Sequence, residues 1–304
     1  GAGDEAREAA ARAESKDVSA LRDGLAPAFL LTGDEAHLDD EFNPEADLVL
    51  GPEKSVEHHI YAGLAALWSG RPSRAAEEME RAEEKLMTLD GSEADLSSWV
   101  QWVRIMRIRA YLAAGRIPEA RSAADAARTA GKGRINGLLV YSAGLADLAA
   151  GDKQMAVLMT NRLTAAGLKF WRYLLSAQSA LAAGDVGGAE SALSLASQGI
   201  DIQTTVCPGI SVEPYVLSAQ ARTLLALGRA PAAEHLLMRV IGLGGRGIFA
   251  PDILVPAWEL VAEAREAQGN RAGAEEAWRE ILTRWGKGEE TPLLQRARAA
   301  LGVK

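Results

Sequence analysis

The residues able to do nucleophilic, acid–base or metal chemistry are few in this chain and poorly spaced for it. Its 304 residues include one cysteine, Cys207, and four histidines, His37, His58, His59 and His235. A catalytic nucleophile needs a base beside it and a third group to orient that base. Cys207 sits in the text TTVCPGIS beside Pro208 and reads as an inert loop thiol. His58 and His59 are adjacent, so on a helix their side chains diverge by about 100° and do not readily share one ion. They read as a tandem at the start of the first unit's helix rather than as a metal site. GLGGRG (242–247) follows no strand text and lacks the lysine of a phosphate-cradling loop, which leaves a glycine-rich connection. Glu259, Glu263 and Glu266 share one helix face. The enzyme most easily confused with this chain is an all-helical glycosidase, which needs two inward carboxylates at loop ends with aromatics for sugar stacking. The three- and four-residue spacing here reads as a solvated acidic stripe instead. The expectation is a chain that is not an enzyme, with no metal and no cofactor.

Charge narrows the partners. The chain carries 41 acidic and 33 basic residues, a formal net charge of −8. Eight of the acids and no Lys or Arg lie between Asp34 and Glu53, so the remaining 33 acids balance the 33 bases. Phosphate binding needs clustered Lys and Arg, and no basic stripe is visible, which argues against nucleic acid. The acidic text lacks the central glycine and closing glutamate of a calcium loop and reads as a solvated linker. No stretch of about 18 apolar residues is present to span a membrane. A single cysteine excludes an internal disulfide and leaves the compartment open, cytoplasm or periplasm. The chain opens on glycine rather than methionine, which reads as a processed product.

The elements that would position any site are set by an internal repeat. Six times a glycine is followed five residues later by an alanine: Gly70/Ala75, Gly115/Ala120, Gly151/Ala156, Gly184/Ala189, Gly228/Ala233 and Gly269/Ala274. An apolar run precedes each glycine, which can adopt the left-handed conformation that closes a helix. A second helix then opens on small residues. Its alanine faces another small residue seven places before the glycine (Gly63, Gly144, Ala177, Ala221, Ala262), with Ile108 in the second unit as the exception. Met79, Leu193, Leu237 and Trp278 follow the alanine by four residues, and Ala82, Ala127, Ala196 and Ile281 by seven, which places them on one face. The glycines stand 45, 36, 33, 44 and 41 residues apart, so the hairpins form a repeat array with inserted connections.

These offsets resemble the tetratricopeptide repeat. The last unit, WELVAEAREAQGNRAGAEEAWREI, and the first, YAGLAALWSGRPSRAAEEMERAEEK, carry the likeness most clearly. The resemblance implies an all-α fold, an α-α superhelix (solenoid) of antiparallel helix pairs. Residues 1–55 read as an N-terminal helical cap and acidic linker, 56–286 as about six hairpins, and 287–304 as a C-terminal capping helix, with Thr291 as N-cap and Pro292 at the first helical position. LDGSEADLSS (89–98), DIQTTVCPGIS (201–211) and GGRGIFAPD (244–252) read as inserted loops.

In such arrays the first helix of each unit lines a concave groove, at positions 13, 10, 6 and 3 before the glycine. These are Trp102, Ile105, Arg109 and Leu112 in the second unit, and Leu138, Tyr141, Leu145 and Leu148 in the third. The fourth gives Trp171, Leu174, Gln178 and Leu181, and the fifth Tyr215, Ser218, Arg222 and Leu225. The lysines and asparagines of the family's carboxylate-clamp members are missing. The groove is apolar and aromatic with two arginines, which suits an apolar or amphipathic segment of a partner protein or peptide. The expectation is a protein-binding scaffold. A small-molecule or peptide sensor and a self-associating structural module are the alternatives, and the same aromatics could instead be buried by a tighter superhelix or by the N-terminal segment. The closing text resembles arrays that follow kinase or DNA-binding domains in bacterial multidomain regulators.

Overall fold

In the computed structural model, residues 52–89, 93–129, 136–197, 213–243 and 251–303 are described. The described residues form thirteen helices and no strand, in the order α1 (Pro52–Trp68), α2 (Pro72–Leu86), α3 (Glu93–Ala114), α4 (Ile117–Thr129), α5 (Gly137–Ala149), α6 (Lys153–Ala165), α7 (Lys169–Ala182), α8 (Val186–Ser197), α9 (Glu213–Ala226), α10 (Ala230–Gly242), α11 (Pro251–Ala267), α12 (Arg271–Trp285) and α13 (Pro292–Leu301). None is long and apolar enough to cross a membrane. Residues 1–51 of the N-terminal cap and acidic linker, His37, Cys207 and the loop 201–211 lie outside the described residues, and residues 52–55 open α1.

The glycine–alanine interval has a direct physical origin. All six repeat glycines have φ between +71° and +77°. The residue after each glycine donates its N–H to the carbonyl five places back, as in Arg71 to Ala66, Arg116 to Tyr111, Asp152 to Asp147, Asp185 to Ala180, Arg229 to Leu224 and Asn270 to Arg265. This is the Schellman closure, which satisfies a carbonyl that the helix end would orphan. The same residue is also the N-cap of the next helix, and its carbonyl accepts from the repeat alanine, as Arg71 does from Ala75 and Asn270 from Ala274. One residue therefore closes one helix and opens the other. Where it is Asp or Asn, its side chain adds a cap, with Met155 N–H donating to Asp152 and Gly273 N–H to Asn270, both at 3.0 Å.

Small residues then set the spacing within each hairpin. Ala75, Ala120, Ala156, Ala189 and Ala233 are fully buried and Ala274 nearly so, as are Met79, Leu237, Ala82, Ala196 and Ile281 further along the second helices. A Cβ on Gly63 would lie 2.7 Å from Met79 Cε and 3.3 Å from the Ala75 carbonyl oxygen. That is the close approach the small pair permits.

Each hairpin packs on the next in chain order, giving the helical solenoid. The first helices α3, α5, α7, α9 and α11 touch one another in succession and form the inner layer, while α4, α6, α8 and α10 lie outside, wedged between their neighbours. Arg104 donates to Glu83 at 2.6 Å, Arg128 to the fully buried Asp147 at 2.9 Å, and Arg265 to Glu234 at 2.7 Å across successive elements.

The stack also returns on itself. Helix α11 packs on α1 and α3, and α13 packs on α3. At this seam Glu289 N–H donates to the Gly70 carbonyl at 2.9 Å, and Ser73 N–H donates to the Glu289 carboxylate at 2.7 Å. A Cβ on Gly70 would lie 2.8 Å from Trp285, and one on Gly115 2.7 Å from Pro292. Helix α13 opens as its sequence implies, with Leu294 N–H donating to the buried Thr291 hydroxyl at 3.3 Å. It covers the end of the last hairpin and also seats against the second.

Two loop readings are corrected. Residues 93–98 belong to α3, and Pro251 and Asp252 begin α11. EADLSS contains neither glycine nor proline, and nothing in it forbids a helix.

Candidate functional site

Closure of the ring leaves two contiguous chambers on the concave face. The inner one, about 540 Å³, is lined from α3, α4, α5, α7, α9, α11, α12 and α13 by residues that include Arg109, Tyr141, Tyr215, Ser218, Asp252 and Trp285. The outer one, about 650 Å³ and more open, lies at the glycine-turn ends of units three to six. Leu145, Gln178 and Arg222 line both.

The groove register divides cleanly along the helices. Positions 6 and 3 before the glycine line the chambers in all four predicted units: Arg109 and Leu112, Leu145 and Leu148, Gln178 and Leu181, Arg222 and Leu225. Tyr141, Tyr215 and Ser218 join them from the earlier positions. Trp102, Ile105, Leu138, Trp171 and Leu174 are instead packed between units, each no more than 4% exposed. Trp102 belongs to the core around α1 and α2, and Ile105, Leu138, Trp171 and Leu174 to the core running from α5 to α9. The expected aromatic groove is therefore shallower than its register implies, because the tight curvature presses the N-terminal halves of the inner helices together. The Trp171 ring stands 5.6 Å from Tyr141 and 5.0 Å from Phe170.

The inner chamber is built around an ion pair. Arg109 Nε donates to Asp252 Oδ2, joining the second unit to the sixth, with both side chains at most 6% exposed. The Arg109 guanidinium also lies over the Tyr215 ring, 4.2 Å from its centroid. Burial works against the Arg109 charge, and Asp252 with Tyr215 more than restores it. Burial pushes the Tyr141 phenol up to about 12 and Tyr215 higher still, so both are neutral hydroxyls. Arg109 Nη1, Asp252 Oδ1, Ser218 Oγ and Trp285 Nε1 are buried here with no hydrogen-bond partner among the described residues. Pro256 lies inside α11 and has no N–H to offer the Asp252 carbonyl.

The acidic stripe departs from its sequence reading at one member: Glu263 and Glu266 are exposed, as a solvated stripe implies, and Glu259 is not. Glu259 is buried and receives two hydrogen bonds from Arg296 of α13. Glu263 faces the outer chamber, where burial and then the neighbouring Glu259 raise its carboxyl above the ordinary range. Glu266 accepts from Trp278 Nε1 at 3.1 Å. The signal was available: counting 13, 10 and 6 back from Gly269 gives Pro256, Glu259 and Glu263, all of which line the chambers. Asp252, Trp285 and Arg296 carry no such signal, since ring closure alone brings them in.

The remaining chemistry-bearing residues are elsewhere. His58 and His59 lie buried in the first half of α1, their rings 5.6 Å apart, and His59 Nδ1 is 2.7 Å from Glu78 Oε2 on α2. His235 is exposed on α10. Among the described residues no group of three or more His, Cys, Asp or Glu is placed to hold a metal ion. No protein-family model matches this chain, and a search of curated proteins returns no significant relative.

Proposed function

We propose that this chain is a non-catalytic, tetratricopeptide-like binding module that takes a small molecule or a short extended segment on its concave face. The observation that supports this reading most is the convergence of the same two offsets from four consecutive units on one pair of chambers, closed by the sixth. Chamber volumes of about 540 and 650 Å³ fall in the roughly 300–1,000 Å³ range of ligand sites. The acids of the inner chamber, Asp252 and Glu259, are engaged by arginines, which supports binding over acid–base work.

A thermal-shift survey of short apolar peptides and small polar molecules tests the reading, run on wild type beside Leu181→Trp. Leu181 is half-buried on the outer chamber wall, so tryptophan there narrows the chamber without disturbing the core. A saturable stabilisation of wild type that the variant loses supports the reading. Stabilisation that survives the variant moves the site elsewhere.

Self-association is the second reading, and one observation favours it. The outer helices of consecutive units expose large apolar side chains: Val157 and Leu158 on α6, Leu195 on α8 and Met238 on α10, each more than 40% exposed. Light scattering across a concentration series tests it.

A further inference from the structure

Two opposite charges face the outer chamber without pairing with each other. Arg222 on α9 and Glu263 on α11 both line it, and neither makes a hydrogen bond or ion pair with any described residue. They are near enough for Arg222 to offset part of the upward shift that partial desolvation and Glu259 give the Glu263 carboxyl. The nearest other charges, Glu259 and Arg296, are spent on one another. Between Arg222 and Glu263 the wall is apolar, formed by Leu145, Leu148, Leu181, Leu225 and Leu260, with the Gln178 amide the other polar group.

This combination selects among ligands by charge. A simple anion gains from Arg222 but meets Glu263, and a simple cation meets the reverse. A neutral apolar molecule fills the leucine wall but strips solvent from two charges and returns them nothing. A ligand carrying both charges a few ångströms apart, with an apolar body, satisfies all three features together.

We propose that the outer chamber binds a free zwitterionic α-amino acid with a large apolar side chain, its carboxylate against Arg222, its ammonium against Glu263 and its side chain among the leucines. This rests on the concave face being a binding site at all. Gln178 then supplies a donor or acceptor to the remaining carboxylate oxygen or ammonium proton.

The test is calorimetry on the full chain with L-phenylalanine and L-leucine, beside N-acetyl-phenylalanine, which has no ammonium, and phenylalaninamide, which has no carboxylate. Wild type should bind the free amino acids and lose at least about tenfold in affinity for either capped form. Arg222→Gln should abolish the preference over the amide, and Glu263→Gln the preference over the acetylated form. Arg222 and Glu263 are exposed to the chamber, and retention of helical circular dichroism confirms that the variants fold. Capped forms that bind as well as the free amino acids overturn the zwitterion, as does the absence of binding by any probe at about 10 mM. Leu181→Trp separates the two ideas. If other ligands bind wild type and not Leu181→Trp while neither free amino acid binds wild type, the concave site stands and the zwitterion falls. If phenylalanine binds Leu181→Trp unchanged, the zwitterion site in the outer chamber falls, since Leu181 lines that chamber alone.

Discussion

Arg109 and Asp252 lie 143 residues apart in the chain and form a buried ion pair across the seam between the second and sixth hairpins. Breaking one side of a buried pair leaves an uncompensated charge and costs roughly 3–5 kcal/mol, whereas replacing both with apolar residues is often close to neutral. Asp252→Asn should therefore destabilise strongly in chemical denaturation, and Arg109→Met with Asp252→Leu should recover most of the loss. A cost below about 1 kcal/mol for Asp252→Asn would mean that other contacts hold the seam.

Gly70 and Gly151 have the same left-handed backbone but different surroundings. A Cβ on Gly70 meets Trp285 at 2.8 Å, while one on Gly151 meets nothing within 4 Å. Gly151→Ala should cost the backbone strain alone, about 1–2 kcal/mol. Gly70→Ala should add an overpacking penalty of roughly 1–3 kcal/mol. Equal denaturation midpoints for the two variants would count against the seam.

Ala189 is fully buried at the hairpin contact of the fourth unit, whereas Ala300 is exposed on α13. Ala189→Leu should lose roughly 1–3 kcal/mol by overpacking, and Ala300→Leu should be nearly silent in the same melt.

Trp171 and Gln178 stand on the same helix at two groove offsets with different fates. Trp171 is 4% exposed within a core cluster, and Gln178 lines both chambers. Trp171→Ala should cost about 3–5 kcal/mol, while Gln178→Ala should stay within about 0.5 kcal/mol and alter ligand binding instead. Urea titration of both variants separates core from chamber.

Glu78 links α2 to His59 of α1. Burial alone would raise its carboxyl, but the His59 hydrogen bond and Arg81 and Arg74 outweigh it and hold the group below its ordinary 4.5. A carboxyl depressed by folding adds stability that is present in full above its unfolded value and lost as the pH falls through the folded one. The stability gap between wild type and Glu78→Gln should therefore be largest at neutral pH and shrink below about 4.5. A gap that is flat from pH 7 to 3 would mean the carboxylate's charge contributes nothing.

The local half of this architecture was legible in the sequence. Glycine, cap and alanine fix each hairpin within a few residues, and Thr291 with Pro292 announces the final helix. The groove offsets placed Arg109, Tyr141, Leu145, Gln178, Tyr215 and Arg222 on the chambers. They misplaced Trp102, Ile105, Trp171 and Leu174, because how deeply an inner helix is buried depends on the rotation between neighbouring units. That rotation is the sum of many side-chain contacts, and no single position records it. Asp252 illustrates the same point: nothing near it in the chain indicates that it pairs with Arg109.

Closure of the hairpin array on itself changes how it can come apart. In an open array each unit is held by its neighbours, so a terminal unit can fray while the rest persists. Here the sixth unit leans on the first and second as well as the fifth, and peeling it away breaks interfaces on two sides at once. Among the described residues a row of weakly coupled hairpins becomes a circumference whose last unit is held from both sides, and its melting should sharpen toward a single all-or-none step.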